Sequence, residues 1–579
     1  MSFVLATSEI RDGKKIGKIC IKGLKRTNNY AQGKNLLIFK GETYPYSLQE
    51  LFNDFFKEGI DIVKKLKGEF FIIIYNNDSN NLYIANDRLG RETLFYFYDH
   101  KKLIISDDFW EIIKIIEPKE SDVDTQSVKE LVIFYYPLFY KTIIKNLDFL
   151  PNASIGEFSL INQTLKLKQY WDFRLQIDNS LTVEEAVQKL DQFLDSDLKQ
   201  IKDQNDPCAT YGIGLSGGLD TRLIPYYALK NGIVLKSFII GKKRPHRFAL
   251  SRSHKNAKTL AKYYGLNHYE VESASESFED KSFYDVRHFP IGPSQFFKIN
   301  VKDIPKFDIL LTGALGELVG GAIRQNIMQL NNEELLDEIL TQLTCAKSST
   351  TTSSVLKKGF NYVFQLNTPS TDRKQQEMVE EIMSNNEFTE AINKIRNFIK
   401  EESNKSNIEI FQKYWIFHLG SKNKYGAYES LQGQRKSHSI YYPFVLDELL
   451  TWKPDFFIDR KILKSLLLTK FPKLAKIPLQ DYRVPIFYSF NRRFSSLRRI
   501  RYLLAYIIRG SGFFGYVDCP KRYDEYSNKI LSKNNEIFDK IFDKGKIVKL
   551  RQKNIIAFDN LLKVKLLLDI IQNKDYKQF

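Results

Sequence analysis

The stretch Leu215-Ser216-Gly217-Gly218-Leu219-Asp220-Thr221-Arg222 decides the fold of this chain. It follows the apolar residues 210–214 and precedes the apolar run 223–229, an order that predicts a strand, a turn and a helix. The adjacent glycines allow backbone N–H groups to approach an anion closely, and the helix adds its unpaired N-terminal donors. Asp220 supplies a carboxylate suited to Mg²⁺. The turn is therefore predicted to hold the phosphates of a nucleotide.

A glycine-rich surface turn is the alternative interpretation, and Ser-Gly-Gly alone would not decide against it. The preceding strand, the acid and the following helix together favour the nucleotide. Residues 216–221 also resemble the PP-loop of the ATP pyrophosphatases, and residues 215–222 resemble the asparagine synthetase superfamily in particular. Members of this superfamily cleave ATP between its α and β phosphates to adenylate a carboxylate, and an amine then displaces AMP to form an amide. The resemblance implies an ATP-dependent carbon–nitrogen ligase with ATP and Mg²⁺ as cofactors.

The chain upstream of this unit is predicted to be a separate domain rich in strands. Short strands separated by turns are predicted over residues 36–39, 69–75, 82–85, 93–98 and 103–106. Short fragments also follow the glutaminase domain of the asparagine synthetases in order, namely residues 39–44, 67–70, 86–96, 150–152 and 170–171. The resemblance implies that residues 1–175 form a layered β sandwich with helices, of the Ntn-hydrolase type.

Three positions in this domain depart from a working glutaminase. Glutamine-hydrolysing members carry a cysteine directly after the initiator methionine, whereas this chain has Ser2. Serine acts as an N-terminal nucleophile in other hydrolases, so Ser2 alone leaves the question open. The family's glutamine-binding asparagine is Lys40 here, and the aspartate that grips the substrate's ammonium is Lys67, which reverses the electrostatics. The three changes together predict an inactive glutaminase domain, whose fold is kept because it buries a face of the synthetase half.

A helix marks the predicted domain boundary, near residues 175–182, and opens with the capping-box pattern Thr182-Val183-Glu184-Glu185. Residues 180–579 then form the predicted ATP-binding domain, a doubly wound parallel sheet with strands at 234–240 and 309–311 and a helix at 255–264. After about residue 325 the pattern is mainly helical, interrupted by a loop at 348–354. The predicted fold class is thus α+β for the first domain and α/β for the second.

Ligands of parallel sheets bind at the carboxyl ends of the strands, where Leu215, Ile240 with Gly241, and Thr312 with Gly313 lie in this sequence. By resemblance, Leu215 and Ile240 would flank adenine or contact it through their backbones, although Ile240 is also expected to pack in the core. Thr312 and Gly313 would lie beside the ribose or the phosphates. Asp220 would coordinate Mg²⁺, and the leaving pyrophosphate would be held by Ser216, Gly217, Gly218 and Thr221.

The resemblance also implies a second metal-binding carboxylate. Residues 312–321 resemble a third motif of the family but are one residue shorter, so that Gly316 falls at the family's aspartate. Glu317 remains and is predicted to be the second ligand of Mg²⁺ beside Asp220. Capping of the following helix is the alternative role for this glutamate.

A late cation completes the site that the resemblance implies, since the family has a lysine that steadies the acyl-adenylate and the pyrophosphate. In this chain that lysine would fall close to Gln480, which carries no charge. An adenylate phosphate in a closed site still requires a cation, so Lys476 or Arg483 is predicted to replace it. A surface position is as consistent with the sequence for either residue.

With glutamine hydrolysis predicted to be lost, the amine would come from the substrate itself or from a second metabolite. The β-lactam synthetases and lasso-peptide cyclases of the superfamily work in this way, since an amine already in the site captures the adenylated carboxylate. Amide formation on a small-molecule or peptide substrate is therefore the preferred prediction. Asparagine synthesis or another amidation from ammonia or glutamine stays open, as does a relative that binds nucleotide without turnover.

The composition narrows the class of partners. The 579 residues carry a net charge of +18, but lysine is spread from end to end, which argues against a nucleic-acid surface. One arginine-rich segment around residues 502–508 leaves peripheral membrane contact open, and a homodimer is also left open. The four cysteines are scattered, and no apolar run is long enough to span a bilayer. A cytoplasmic enzyme without a nucleic-acid partner is predicted.

Overall fold

The computed structural model describes residues 3–7, 14–16, 18–23, 28–41, 43, 46–134, 136–240, 248–271, 304–319, 323, 325–343, 381–414, 436–442, 444–478, 527–553 and 555–575. Its strands, numbered in chain order, are β1 Val4–Ala6, β2 Lys14–Ile16, β3 Ile19–Lys22, β4 Asn28–Gln32, β5 Asn35–Gly41, β6 Phe70–Asn76, β7 Asn81–Asn86, β8 Phe95–Tyr98, β9 Leu103–Ser106, β10 Leu147–Phe149, β11 Ser154–Ser159, β12 Thr164–Gln169, β13 Tyr211–Gly214, β14 Leu235–Ile240, β15 His268–Val271, β16 Ile309–Thr312 and β17 Lys436–Ser439.

The α-helices are numbered in the same way. They are α1 Leu48–Glu58, α2 Phe109–Ile116, α3 Thr125–Phe134, α4 Val183–Asp203, α5 Ile224–Lys230, α6 Phe248–Tyr264, α7 Asn332–Leu343, α8 Asn385–Glu401, α9 Asn407–Gln412, α10 Phe444–Leu449, α11 Pro454–Phe457, α12 Lys461–Lys470, α13 Pro472–Ala475, α14 Glu536–Ile541, α15 Lys544–Lys553 and α16 Ile555–Gln572. No helix among the described residues is both long enough and apolar enough to cross a membrane.

The first twelve strands build two antiparallel sheets of six strands each, ordered β10-β8-β9-β1-β3-β2 and β12-β11-β7-β6-β5-β4. Strand β6 shows why the sheets stack. Because successive side chains of a strand point to opposite faces, Phe71, Ile73 and Tyr75 enter the core between the sheets. Its other apolar residues, among them Ile72 and Ile74, pack in a second core with α1. The predicted layered sandwich with helices is confirmed.

The remaining strands form one parallel sheet of five strands, ordered β15-β14-β13-β16-β17. All four neighbouring pairs run parallel. From β13 the chain moves outward to β14 and β15 on one side, and β16 and β17 then add on the other. The strand order therefore reverses beside β13, the kind of switch point at which loops diverge and leave a crevice.

Helix α4, which leads into this sheet, is confirmed with the predicted start. Thr182 accepts a hydrogen bond from the backbone N–H of Glu185, and the Glu185 carboxylate accepts one from the backbone N–H of Thr182, so both halves of the capping box are present. The helix buries Leu190, Leu194 and Leu198 on one face. These residues join the core that fills the parallel-sheet region.

One boundary differs from its prediction in the region after α4, and one strand was not predicted. Helix α6 begins at Phe248, earlier than the predicted residue 255, because the polar run Ser251-Arg252-Ser253 hid its start. The described residues after 325 are mainly helical, as predicted, but they also contribute strand β17 to the sheet, which the sequence did not indicate. Its sequence Lys-Ser-His-Ser shows no apolar alternation, so its pairing with β16 comes from tertiary contacts.

The sandwich and the parallel-sheet region share one continuous core. Helix α3 of the sandwich packs against α16, and apolar residues of both lie in the same buried cluster. Ion pairs join the two parts at the margins of this contact. Lys129 Nζ lies 2.6 Å from Glu387 Oε1, and Lys394 Nζ lies 2.9 Å from the buried Glu130 Oε1.

Candidate nucleotide site and amidotransferase pocket

The turn after β13 is held by its own hydroxyl groups. The backbone N–H of Ser216 donates to Thr221 Oγ1 at 3.3 Å, and the backbone N–H of Gly218 donates to Ser216 Oγ at 3.1 Å. Leu215 is buried, and its N–H donates to the carbonyl of Phe238 in β14. The turn thus leaves the central region of the sheet in a fixed conformation, and the predicted helix follows as α5, from Ile224 onward.

Gly217 is required by a close approach to helix α6. A Cβ at this position would lie 2.7 Å from Asn256 Cβ, which is too close for two carbon atoms that are not bonded. Asn256 is itself buried and donates through Nδ2 to the carbonyl of Pro478 at 2.9 Å. The glycine therefore lets α6 and the segment after α13 close against the turn.

Arg222 connects the turn to that same segment. Its buried guanidinium donates to the carbonyls of Leu474 at 2.9 Å, Ile477 at 2.7 Å, Pro478 at 3.1 Å and Gly217 at 3.0 Å. Burial lowers the pKa of Arg222 to about 10, which still leaves the group charged at neutral pH. The sequence interpretation assigned this arginine no role, because three of its four partners lie more than 250 residues away.

Asp220 lies against the loop that follows β16. A Cβ at Gly313 would lie 2.9 Å from Asp220 Cβ, and one at Gly316 would lie 2.2 Å from Asp220 Oδ1. The Asp220 carbonyl accepts a hydrogen bond from Tyr441 Oη at 2.9 Å. Loops after two neighbouring strands thus meet at the switch point, and the predicted residues Asp220 and Gly313 are brought together.

An unpredicted cation, Arg460, also lies in this site. Its Nη1 is 2.5 Å from Asp220 Oδ1. The arginine belongs to a short turn between α11 and α12, and no motif in the sequence pointed to it. Lys476, which was predicted to supply a late cation, follows α13 and has an exposed side chain, although its neighbours Leu474 and Ile477 are bound by Arg222.

The other predicted binding residues are distributed around the same loops. Thr312 ends β16, is buried, and accepts a hydrogen bond from the backbone N–H of Ala314 at 3.1 Å. Ile240 ends β14, and Glu317 lies in the 3₁₀ helix Gly316–Val319. The side chains of Ile240 and Glu317 lie outside the described part of the structure, as do the residues Ser2, Gly241, Gln480 and Arg483 and the segments 348–354 and 502–508.

Asp220 is the predicted magnesium ligand whose side chain the structure describes. Within the described residues no three His, Cys, Asp or Glu side chains come together as a metal-binding group. Mg²⁺ is commonly bound by one or two carboxylates together with waters and substrate phosphates, so Asp220 with phosphate oxygens fits this ion. Arg460 already occupies one oxygen of that carboxylate.

In the β sandwich, acidic partners surround the two lysines that depart from the glutaminase pattern. Lys40 Nζ lies 3.0 Å from Asp107 Oδ2 and 3.5 Å from Glu92 Oε2. The other oxygen of Asp107 accepts a hydrogen bond from the backbone N–H of Phe3, at the start of β1. Lys40 thus brings a positive charge to the acids beside the N-terminal strand, where glutamine-hydrolysing relatives are expected to bind their substrate.

Lys67 has its partner across the junction with the parallel-sheet region. Its Nζ lies 2.7 Å from Asp447 Oδ2, and the other oxygen of Asp447 accepts a hydrogen bond from Arg88. Arg88 in turn lies over the ring of Trp171, 5.5 Å from its centroid. The two cations hold the pKa of Asp447 below its usual range, against the opposing effect of burial. The lysine predicted to repel a substrate ammonium is therefore part of an interdomain ion-pair group.

Asp87 forms a second, buried contact across this junction. It accepts hydrogen bonds from the backbone N–H groups of Phe70 and Leu89 and from Tyr442 Oη at 3.0 Å. Burial, together with the nearby Glu69 carboxylate, raises the pKa of Asp87 to about 6. Its ionisation near neutral pH therefore acts against the folded junction.

Acidification from pH 7 to pH 5 is expected to stabilise the protein through Asp87. Its folded pKa of about 6 lies above the value of about 3.9 for an unfolded aspartate, so the folded state binds this proton more tightly. The contribution is full below about pH 4, where it is on the order of 3 kcal/mol, and is lost as the pH rises through 6. Between pH 7 and pH 5 the expected gain is about 1.3 kcal/mol.

Thermal unfolding of the wild type, Asp87→Asn and Asp78→Asn, an exposed control, at both pH values measures this effect. Asp87→Asn should lose the part of the pH dependence that belongs to Asp87, whereas Asp78→Asn should keep it. An unchanged pH dependence in Asp87→Asn would contradict the assignment.

A family comparison now defines the class of the first domain. Residues 29–171 match a family model described as a glutamine amidotransferase domain. This match agrees with the two antiparallel sheets and supports an amidotransferase-like family that includes the asparagine synthetases. The chain thus contains a domain of the amidotransferase type, the kind found in amide-forming enzymes.

Three solved structures are similar to parts of the chain. An NMN synthetase from Francisella tularensis is 24% identical over 16% of this chain and 35% of its own, with a TM-score of 0.12. A glutamine phosphoribosylpyrophosphate amidotransferase from B. subtilis, complexed with ADP and GMP, is 8% identical over 54% and 69%, with a TM-score of 0.20. An allosteric regulatory enzyme of purine biosynthesis is 9% identical over 54% and 59%, with a TM-score of 0.16. The chain therefore spans about a third of the first of these proteins. No curated protein matches the chain.

Proposed function

We propose that this chain adenylates a carboxylate with ATP and joins the acyl group to an amine that its own amidotransferase-type domain does not supply. One observation carries the proposal. The turn 216–221 leaves the sheet at its switch point, and the carboxylate-bearing Asp220 lies there against the loop that follows β16. Nucleotides bind to open parallel sheets at such points, and Asp220 offers the oxygen ligand that a nucleotide-bound Mg²⁺ prefers.

The proposed reaction has two steps. In the first, a carboxylate oxygen of the substrate attacks the α-phosphorus of ATP, the bond to the bridging oxygen breaks, and pyrophosphate leaves with that bonding pair. The hydroxyl groups of Ser216 and Thr221 would donate to the departing phosphates. Asp220 would hold a magnesium ion, whose charge would offset the negative charge of the departing pyrophosphate. In the second step, the amine attacks the acyl carbon, AMP leaves, and the amine nitrogen gives up a proton.

The source of the amine follows from the two lysines of the sandwich. Lys40 and Lys67 carry positive charge at positions where the resemblance implies groups that bind glutamine. Lys67 replaces the acid that would bind the ammonium of glutamine, and the acids near Lys40 already bind that lysine. The negative charge that a glutamine ammonium requires is therefore missing at position 67 and already paired beside position 40. Free ammonia or the amine of a second substrate would therefore react with the adenylate.

Exchange of labelled pyrophosphate into ATP tests the adenylation step. Panels of amino acids, peptides and other carboxylic acids are supplied in turn to the full chain with Mg²⁺. Exchange that requires one class of acid supports the proposal and names the substrate class. AMP release that is independent of every acid would replace the proposal with a nucleotide site that does not form amides.

Glutamine hydrolysis is a second candidate activity, because residues 29–171 match the glutamine amidotransferase domain. We expect the wild type to release no glutamate from glutamine above background, since Lys67 replaces the acid that would bind the ammonium of the substrate. Two variants test this expectation. Ser2→Ala removes the candidate nucleophile, and Ser2→Cys supplies the nucleophile that glutamine-hydrolysing members carry. Glutamate release by the wild type that Ser2→Ala abolishes would establish the second candidate and overturn the proposed source of the amine.

A further inference from the structure

Arg460 contacts the carboxylate of Asp220, the acid of the turn 216–221. The distance of 2.5 Å between its Nη1 and Asp220 Oδ1 is that of a charge-assisted hydrogen bond. The two side chains are 19% and 27% exposed, so the pair is reachable from solvent without being fully hydrated. A ligand that enters this site therefore meets a guanidinium and a carboxylate that already neutralise each other.

The backbone holds Arg460 in place at a conformational cost. Asp459 and Arg460 have φ angles of 53° and 55°, in the left-handed region that residues with a Cβ rarely adopt. Contacts fix this corner: the N–H of Asp459 donates to the carbonyl of Ile323, and Asp459 Oδ2 lies 2.7 Å from Nζ of the buried Lys464. Strain that the surroundings maintain in this way is concentrated at functional sites.

Gly316 completes the arrangement. Because a Cβ at this residue would lie 2.2 Å from Asp220 Oδ1, the Asp220 carboxylate can turn toward Arg460 only if residue 316 lacks a side chain. Gly313 leaves space on the other side of the same aspartate. The loop after β16 is thus shaped to receive Asp220 while Arg460 holds one of its oxygens.

We propose that Arg460 is a phosphate-binding residue of the nucleotide site, which moves from Asp220 to the β-phosphate when ATP enters and stays with the pyrophosphate that leaves. This inference rests on the proposed function and identifies the cation that binds phosphate in the same site. Guanidinium groups bind phosphate through two parallel hydrogen bonds, which compensates for the lost aspartate contact. The exchange of partners frees the Asp220 carboxylate for the metal ion, so that one cation is stored in the site before the nucleotide arrives.

Calorimetric titration of inorganic pyrophosphate in the absence of metal tests this inference without turnover. Hydrogen bonds to charged groups contribute about 1.5–3 kcal/mol, so Arg460→Ala should weaken binding roughly 10- to 100-fold. Arg460→Lys should recover part of the affinity. Asp220→Asn should strengthen metal-free binding several-fold, because it releases Arg460 from its partner. Lys461→Ala is the matched control, since the neighbouring Lys461 pairs with Asp455, and it should bind as the wild type does.

Several results would overturn the inference. Equal pyrophosphate affinity of the wild type and Arg460→Ala would do so, as would weaker binding by Asp220→Asn, because a merely structural ion pair predicts no gain from releasing the arginine. If Arg460→Ala fails to fold, the pyrophosphate affinity of Arg460→Gln tests the inference instead. The direction in which Asp220→Asn changes that affinity provides a second test. Wild type that binds ATP with Mg²⁺ but no metal-free pyrophosphate refutes only the role of Arg460. Wild type that binds neither refutes the proposed function as well.

Discussion

Asp220→Ala is expected to lower the rate of ATP–pyrophosphate exchange by at least about 100-fold, the effect seen when one group that stabilises transition-state charge is removed. The variant loses the carboxylate that would hold Mg²⁺ and that pairs with Arg460 in the resting site. Because the side chain is partly exposed and its backbone carbonyl still accepts from Tyr441, the fold should persist. Exchange is measured with the acid that supports it in the wild type.

Asp220→Asn and Asp455→Ala are the matched variants for this measurement. Asparagine keeps the shape of Asp220 but not its charge, so it should lose nearly as much exchange as alanine. Asp455 also pairs with a cation, but this cation is Lys461 rather than Arg460. Removal of Asp455 should leave exchange within a factor of two or three, as expected of an exposed ion pair. Exchange at near wild-type rates in Asp220→Ala would remove the turn from the reaction.

Arg222→Ala is expected to lower the free energy of unfolding by about 3–5 kcal/mol, the combined cost of buried carbonyls that lose their donor and of the cavity that is left. The arginine is fully buried and donates to four carbonyls, three of them in residues 474–478 and one at Gly217. Alanine leaves these carbonyls buried without their donor and opens a cavity between the turn and the segment after α13. Urea denaturation followed by fluorescence measures the loss.

Two further arginine variants show whether the geometry matters. Arg222→Lys keeps a charge, but an ammonium cannot reach all four carbonyls, so an intermediate loss is expected. Arg396→Ala removes an exposed arginine that pairs with Glu333 and should cost less than about 1 kcal/mol. If Arg222→Ala is no more harmful than Arg396→Ala, the guanidinium does not hold the turn against the segment.

Local patterns predicted the parts of the fold that local physics determines. The apolar runs of β6 and β7 and the capping box at Thr182 each placed an element within a residue or two of its observed bounds. The turn 216–221 was found for the same reason, since its glycines and its acid are contiguous. Strand β17 was not predicted, because its four residues show no apolar period. Its position is determined by pairing with β16, which is distant in the sequence.

The sequence predicted the loops of the candidate site that follow β13 and β16, but not its cation Arg460. Asp220 and Gly313 come from recognisable motifs, and the structure brings them together. Arg460 lies 240 residues from Asp220 in a segment without a motif, so only the folded chain reveals the pair. The same holds for Lys67 and Asp447: the lysine was recognised as an unusual residue, but the acid that accepts it lies beyond the reach of a linear pattern.

The contact between α3 and α16 has a consequence for how this polypeptide is made. Helix α3 leaves the ribosome roughly 420 residues before the start of α16, an interval on the order of a minute at ordinary rates of synthesis. Throughout that interval the apolar side of α3 that α16 later covers is open to water, to chaperones and to other nascent chains. The sandwich thus remains incompletely covered until α16 has been synthesised. A product truncated before α16 would keep this apolar surface exposed permanently.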